Sequence, residues 1–561
     1  MFVLDEIIPV SKDTTAKLKV GQWGFKKPSY VEKISPCMEG CPAGNDIPEF
    51  MNLVAQGLFD EALREVLWEN PLPGVCGRVC FHPCQSNCNR TNLDTELQIR
   101  EVERAISEYG QWMPSKEKKE VRGKIAIIGS GPAGLSAAYF LGRLGYEVTI
   151  FERYPETGGI LRYGIPEYRL PKEVLRKELR RIKVLGVKFH TSFEVRKEEI
   201  YRFKDKFDGL ILAIGASLPR RLNLKGEDLE GVKYGLFWLF NPFGEEVTLQ
   251  KVVVIGGGDV AVDAARVARR LYPEAQVLMV APEEEGEFPA QPEGLQEAQE
   301  EGVKVIGGFR PLEFLGHGKL EAIRFGKAKV RRDHETGAYL IEDLKGEMLE
   351  KAQLAIIAIG QIPDFTLIPQ ELIEDGKLKA DPWTGETVLE KCFVAGDFIN
   401  KRATVVDAVS SGKRAAISLH CSLTGDSPKE VLSKIRVGRG FAVSYRAFVT
   451  GNSKRLGQVA EFSEISRLIF AEEPSHIPKK LKPQVRIKSF KEVKERYSQK
   501  EAVKEAQRCF NCGKCIRCDL CFLLCPDLAI LKDNPYRVNE MYCKGCGICS
   551  AICPRSVIEL R

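Results

Sequence analysis

Sixteen of the 18 cysteines fall in two groups near the ends of the 561-residue chain, Cys37 to Cys88 and Cys509 to Cys553, leaving Cys392 and Cys421 alone. Closely spaced thiols either cross-link or bind metal, and either choice dictates the path of the chain around them. The first ten residues carry two acids and no basic run, so they do not read as a secretory signal. No apolar run approaches the ~20 residues of a membrane span. A cytoplasmic chain that is not inserted in a membrane is expected, and in a reducing compartment such thiols argue for metal over disulfides.

The spacing is sharpest at the C-terminal end. Cys515-x2-Cys518-x2-Cys521-x3-Cys525-Pro526 is followed by Cys543-x2-Cys546-x2-Cys549-x3-Cys553-Pro554. Both are the bacterial ferredoxin run, in which three cysteines hold one [4Fe–4S] cubane and the fourth reaches across to the other. One cluster is expected on Cys515, Cys518, Cys521 and Cys553, and a second on Cys543, Cys546, Cys549 and Cys525. Zinc held by four thiolates is the plain alternative, and two runs each closed by proline argue against it.

Between the two cysteine groups the pattern changes to strands alternating with helices, the mark of doubly wound α/β domains with parallel sheets. Ile125-Ala-Ile-Ile-Gly129-Ser-Gly131-Pro-Ala133-Gly134 is a strand running into GxGxxG, with a helix expected over 135–144 and a second strand ending at Glu152. Such glycines allow a tight turn and close approach of backbone N–H groups to a pyrophosphate, and the acid can accept the ribose hydroxyls. A second unit reads Val252-Val-Val-Ile-Gly256-Gly-Gly258-Asp259-Val260-Ala261. Two units imply two nucleotides, most naturally FAD and a nicotinamide dinucleotide that hands it hydride.

With 83 basic and 77 acidic residues the net charge is +6, too balanced to imply nucleic acid. The locally basic stretch Lys479 to Arg496 reads as a solvated linker. The expected domains are a helical iron–sulfur domain over 1–118, an FAD domain over 119–240 and 362–430, and a nicotinamide domain inserted over 241–361. A linker over 431–508 and a two-cluster α+β ferredoxin-like domain over 509–561 follow. The run Lys116 to Glu120 is read as a further linker, and Ile47 to Glu69 as helical.

Four segments carry a family resemblance: Gly158-Gly159-Ile-Leu161-Arg162-Tyr-Gly-Ile-Pro-Glu-Tyr-Arg-Leu-Pro171, Gly256 to Asp263, Ala358-Ile-Gly360-Gln-Ile-Pro-Asp364 and Thr404-Val-Val-Asp-Ala-Val409. Over about residues 30 to 420 the chain resembles the small subunit of bacterial glutamate synthase and its relatives that serve as NAD(P)H-oxidising electron-transfer subunits. Phe393-Val-Ala-Gly396-Asp397 resembles the second flavin signature of such proteins, which implies that Asp397 meets the ribityl chain and Thr404 approaches the isoalloxazine. Gly129, Gly131, Ala133, Gly134, Glu152, Gly159, Leu161, Arg162, Gly396, Asp397 and Thr404 are expected around FAD. Gly256, Gly258, Asp259, Val260, Glu283 and Gly360 are expected to serve the nicotinamide dinucleotide.

Two departures from the family pattern bear on chemistry. NADPH-using relatives end the second strand with arginines suited to a 2′-phosphate, whereas this chain has Ala281-Pro-Glu283-Glu-Glu285. A carboxylate there repels the phosphate and can accept a 2′-hydroxyl, which reads as NADH. Relatives also place Arg-Cys-x-x-Cys-Gly just before the equivalent of Cys37, where residues 28–36 hold no cysteine. That motif recurs as Arg508-Cys509-Phe-Asn-Cys512-Gly513. The resemblance therefore implies one cluster on Cys37, Cys88, Cys509 and Cys512, and a second on Cys41, Cys80, Cys84 and Glu103. Cys76, Cys392 and Cys421 are expected to be buried small hydrophobes.

The expected activity is that of an NADH-oxidising subunit, with FAD and four clusters, exchanging electrons with a partner oxidoreductase subunit or a ferredoxin in a hetero-oligomeric complex. The glutamate synthase small subunit is the nearest rival, against which the ferredoxin-like tail counts. A disulfide reductase would need a CxxC near the flavin, and none lies between 89 and 508. A non-catalytic electron-storage scaffold is a third reading, opposed by the intact glycines of the second unit.

Overall fold

A computed structural model describes residues 21, 24–114, 121–242, 248–332, 339–400, 402–451 and 457–561. The run Lys116 to Glu120 lies outside the described residues. Two parallel five-stranded sheets form the centre. In the first the order is Cys392–Val394, Gly209–Leu212, Lys124–Ile128, Glu147–Phe151, Lys188–His190. In the second it is Lys304–Ile306, Gln276–Val280, Lys251–Ile255, Leu354–Ile357, Val232–Tyr234. Strands such as Lys251–Ile255 and Leu354–Ile357 are almost wholly buried, as the continuous apolar runs of a parallel sheet covered on both faces require.

The helices Pro132–Arg143 and Val405–Thr424 lie against one another over the first sheet. Gly412 makes this crossing possible, because a Cβ there would overlap the carbonyl of Ala133. The crossover into the second sheet comes earlier than residue 240. Val232–Tyr234 already pairs with Leu354–Ile357, and the short pair Leu218–Pro219 with Gln361–Ile362 marks the two connections.

The N-terminal region is helical, but Ile47 to Glu69 is two helices, Ile47–Ala55 and Phe59–Val66. Gly57, at φ +80°, turns the chain between them, a conformation that disfavours any side chain. The C-terminal domain is not simply appended. Pro28–Tyr30 pairs antiparallel with Ile558–Leu560, and the amide of Gly21 donates to the carbonyl of Met541. The helix Gln499–Gln507 packs on Ile47–Ala55, so the chain closes its two ends on each other.

Residues 431–508 are more than a linker. Leu432, Ile435, Val443, Tyr445 and Ala447 belong to the core that packs on the first sheet. Nor are the key cations of Lys479 to Arg496 solvated. Lys480 pairs with Glu293 and Glu297, Arg486 with Glu300, and Lys494 with both Glu293 and Glu101. Glu293, Glu297 and Glu300 lie on the helix Pro292–Glu300 beside the second sheet, and Glu101 on the N-terminal-region helix Ile99–Tyr109. The stretch is a strap that ties these two helices by a partly buried ionic network, where such pairs weigh more than isolated surface pairs.

Candidate functional site

The glycine turn at the end of Lys124–Ile128 opens a partly enclosed cleft. Each glycine has its own reason. Gly129 sits at φ +101° with the Ala213 carbonyl where a Cβ would go, Gly131 faces open space, and Gly134 abuts the Gly129 carbonyl. The open middle position leaves room for a pyrophosphate at the N-terminus of Pro132–Arg143. Glu152 turns its carboxylate onto this turn, accepting from Ser130 N at 3.0 Å, Ser130 Oγ at 2.5 Å and Tyr154 N at 2.9 Å.

Gly129, Gly131, Ala133, Glu152, Gly159, Gly396 and Asp397 all line this cleft. Others among the expected residues support it from behind. Leu161 is buried in the core. Arg162 Nε donates to the Thr157 carbonyl at 2.7 Å and fixes the Gly158–Gly159 turn. Thr404 caps Val405–Thr424 by accepting from Asp407 N. Asp397 Oδ1 is buried without a partner, and burial, reinforced by Asp407, pushes its pKa up to about 7. An orphaned buried acceptor is costly, and the hydroxyls of a ribityl chain would satisfy it. The cleft therefore fits FAD.

At the second turn Gly256 is at φ +135° against the Ala358 carbonyl, Gly258 faces open space and Gly360 is open at φ +105°. Asp259 and Val260 begin the helix Asp259–Leu271, and Asp259 Oδ1 accepts from Gln291 N at 3.3 Å. Glu283 reaches back over the turn: its Oε2 lies 3.1 Å from where a Gly257 Cβ would stand and has no partner, and burial raises its pKa. The turn and this unsatisfied carboxylate fit an adenosine ribose. Tyr168 and Arg169 lie in the same motif as Gly158 and Gly159. Both reach Asp263 of the second unit, at 3.2 Å and 2.6 Å, and clamp the two dinucleotide domains together.

The thiols gather in four neighbourhoods. Around Cys37 the acting charges are Cys88, Cys509 and Cys512. Asn89 Nδ2 donates to Cys512 Sγ at 3.5 Å across 423 positions, and Lys33 N donates to the Gly513 carbonyl at 2.9 Å, so the displaced cysteine pair is brought back to the N-terminal region. Cys41, Cys80, Cys84 and Glu103 line one small cavity together with Asn45, Asn70, Cys76 and Val406. Glu103 accepts from Asn70 at 2.9 Å and Asn45 at 3.3 Å, and burial raises its pKa to about 7. Cys76 is buried as expected, and it lies beside this group.

In the C-terminal domain Cys521 feels Cys518, Cys553 and Cys515, and Cys549 feels Cys543, Cys525 and Cys546. These are the two crossed sets of the ferredoxin run. Among the described residues no three His, Cys, Asp or Glu side chains close on a single ion. Sulfur-only donor sets in fours suit a cubane, whose four irons each take one ligand. Cys392 and Cys421 are buried elsewhere, in the FAD domain.

The helix Val405–Thr424 joins the two kinds of site. Ala408 lines the FAD cleft, while Val406, two residues earlier, lines the cavity of Cys41, Cys80 and Cys84.

Residues 32–114 match the dihydropyrimidine dehydrogenase domain II, 4Fe-4S cluster family. The chain is 33% identical over 423 residues to the β subunit of the NADP(+)-dependent formate dehydrogenase of Moorella thermoacetica, covering 69% of this chain and 59% of that one. It is 33% identical over 401 residues to the NAD-dependent dihydropyrimidine dehydrogenase subunit PreT of Escherichia coli K12, covering 70% and 92%. To the glutamate synthase [NADPH] small chain of Halomonas elongata it is 32% identical over 406 residues, covering 68% and 86%. The chain thus spans less than two thirds of the formate dehydrogenase subunit. No helix among the described residues is long and apolar enough to cross a membrane. Residues 123–412, more than half of the chain and both glycine turns, match the pyridine nucleotide-disulphide oxidoreductase family, and the protein belongs to it.

Proposed function

We propose that the protein is an NADH-oxidising electron-transfer subunit that binds FAD and four [4Fe–4S] clusters and exchanges electrons with a partner oxidoreductase subunit or a ferredoxin. The single observation that carries this reading is the shared wall. Ala408 and Val406 lie within one helical turn, so one short stretch of helix lines both the cleft that fits FAD and the cavity of Cys41, Cys80 and Cys84. When bound, FAD supplies hydride acceptance from the nicotinamide and the clusters supply one-electron carriage.

The chain's own residues position and insulate. Gly129 and Gly131 present the backbone to the pyrophosphate, Glu152 serves the adenosine ribose, and Asp397 holds the ribityl chain. Glu283 takes the 2′-hydroxyl of NADH, and its unpartnered oxygen supports that choice. Cys37, Cys88, Cys509 and Cys512 hold one N-terminal cluster, and Cys41, Cys80, Cys84 and Glu103 the other. The two ferredoxin sets carry electrons outward, and Cys546 is solvent-exposed there. Relatives named as subunits of formate dehydrogenase, dihydropyrimidine dehydrogenase and glutamate synthase support a partner-bound role.

The test is anaerobic mixing of the full-length protein with NADH. Flavin bleaching at 450 nm, a wavelength characteristic of oxidised flavin in general, should be followed by cluster reduction and by transfer to an added viologen. Bleaching that never reaches the clusters would sink the electron-transfer reading.

A further inference from the structure

Arg555 lies where the Cys37–Cys88–Cys509–Cys512 group meets the first ferredoxin set. Its residue exposure is 6%. Nη1 donates to the carbonyls of Cys509, at 3.5 Å, and Phe510, and the guanidinium faces the Phe470 ring at 5.2 Å. Nε is buried and has no partner. The charges that act on it most come from both sides: Cys518 and Cys553 from one set, Cys509 and Cys512 from the other.

Neighbouring buried arginines are matched by carboxylates. Arg90 pairs with Asp94, and Arg508 with Asp94 and Glu505. Among the described residues no carboxylate pairs with Arg555; its hydrogen bonds go to backbone carbonyls, and the groups around it that act on its charge are Cys518, Cys509, Cys512 and Cys553. A buried guanidinium needs an anion nearby, and iron-bound thiolates on both sides would supply it.

We propose that Arg555 is a positioning residue for electron transfer that raises the potentials of the two clusters it separates. The idea rests on the reading of both thiol sets as clusters. Reducing a cubane adds one negative charge, which a cation in a low-dielectric gap favours. Transfer between the two clusters oxidises one and reduces the other by a single electron, with no proton or ligand exchanged. A cation between them favours the electron on either side, so it eases entry onto the flanking pair without favouring one of the two clusters over the other.

The test is a redox titration of the full-length, anaerobically purified protein followed by electron paramagnetic resonance, with iron assayed on the same samples. Arg555→Gln should lower the reduced-to-oxidised ratio of the two flanking clusters about tenfold at a fixed potential, about 59 mV for one electron. The Cys41 cluster and the Cys543 cluster should keep their potentials. Arg555→Lys, which keeps the charge, should restore most of the shift. Unchanged potentials in Arg555→Gln with iron intact overturn the proposal, as do equal shifts in both variants or in all four clusters. Iron lost from Arg555→Gln but kept by Arg555→Lys at native potentials upholds a charge requirement. Iron lost from both means the side chain only holds the fold, and overturns it. Iron well below roughly sixteen per unsubstituted chain, taking four per cubane, instead fails the cluster reading itself.

Discussion

The glycine turn at Gly129 and the thiol group at Cys37 show two ways to build a candidate cofactor site. The first draws on neighbours in sequence: Gly129, Gly131, Ala133 and Glu152 lie within one strand–helix–strand unit. The second needs Cys37 and Cys88 from one end of the chain and Cys509 and Cys512 from the other. A local unit forms with little loop-closure entropy, whereas the second site must offset the ordering of a long intervening chain. It does so with the packing of Gln499–Gln507 on Ile47–Ala55, the pairing of Pro28–Tyr30 with Ile558–Leu560, and the ionic strap. Damage to a terminal site should therefore spread between the two ends and spare the centre, and damage to a central site should stay local.

The largest effect expected is on the shared thiol group. Cys509→Ala/Cys512→Ala should reduce iron from roughly sixteen to roughly twelve per chain, taking four per cubane, while FAD content and bleaching by NADH persist. Iron unchanged in this variant would break the comparison, because the C-terminal pair would then be contributing nothing to the N-terminal domain. Iron and electron paramagnetic resonance spectra of the purified variant make the measurement.

A central change should act on cofactor choice alone. Steady-state viologen reduction should show kcat/KM favouring NADH over NADPH by about tenfold, near the ~1.4 kcal/mol of one misplaced charge. Pro282→Arg/Glu283→Arg should move the preference toward NADPH and leave the iron content untouched. Equal use of the two nucleotides by the unsubstituted protein would rule out Glu283 as the selector.

The smallest effect is a pH dependence. Burial and Asp407 raise the Asp397 pKa to about 7 in the FAD-free cleft. Hydrogen-bond donors on the ribityl chain favour the carboxylate, so binding lowers that pKa and releases a proton. Affinity for FAD should then rise with pH and level off above the free-state value, by about threefold between pH 6.5 and 7.5. Titration of FAD-depleted protein by flavin fluorescence would measure it. Asp397→Asn should flatten the slope, and a slope that survives in that variant would place the proton elsewhere.

Much of this molecule was legible in its residues. The ferredoxin runs, both glycine turns and the strand–helix alternation are short-range patterns, and the physics behind them acts over a few residues. The displaced Arg508 to Gly513 motif was legible too, as a surplus of two cysteines at one end and a shortage at the other. Leu161 and Arg162 read as cofactor contacts because they sit inside a motif; their side chains lie in the core and on the Thr157 carbonyl. Lys480, Arg486 and Lys494 read as solvated because charge patterning along a chain says nothing of which carboxylates will face it. Asp263 as the receptor of Arg169, and Arg555 at the junction of two thiol groups, had no local sequence signal at all. Local chemistry determined what each segment could bind. Which segments met, and so where burial and charge were placed, was decided only when the two ends closed on each other, because desolvation and Coulomb energies depend on distances in space rather than along the chain.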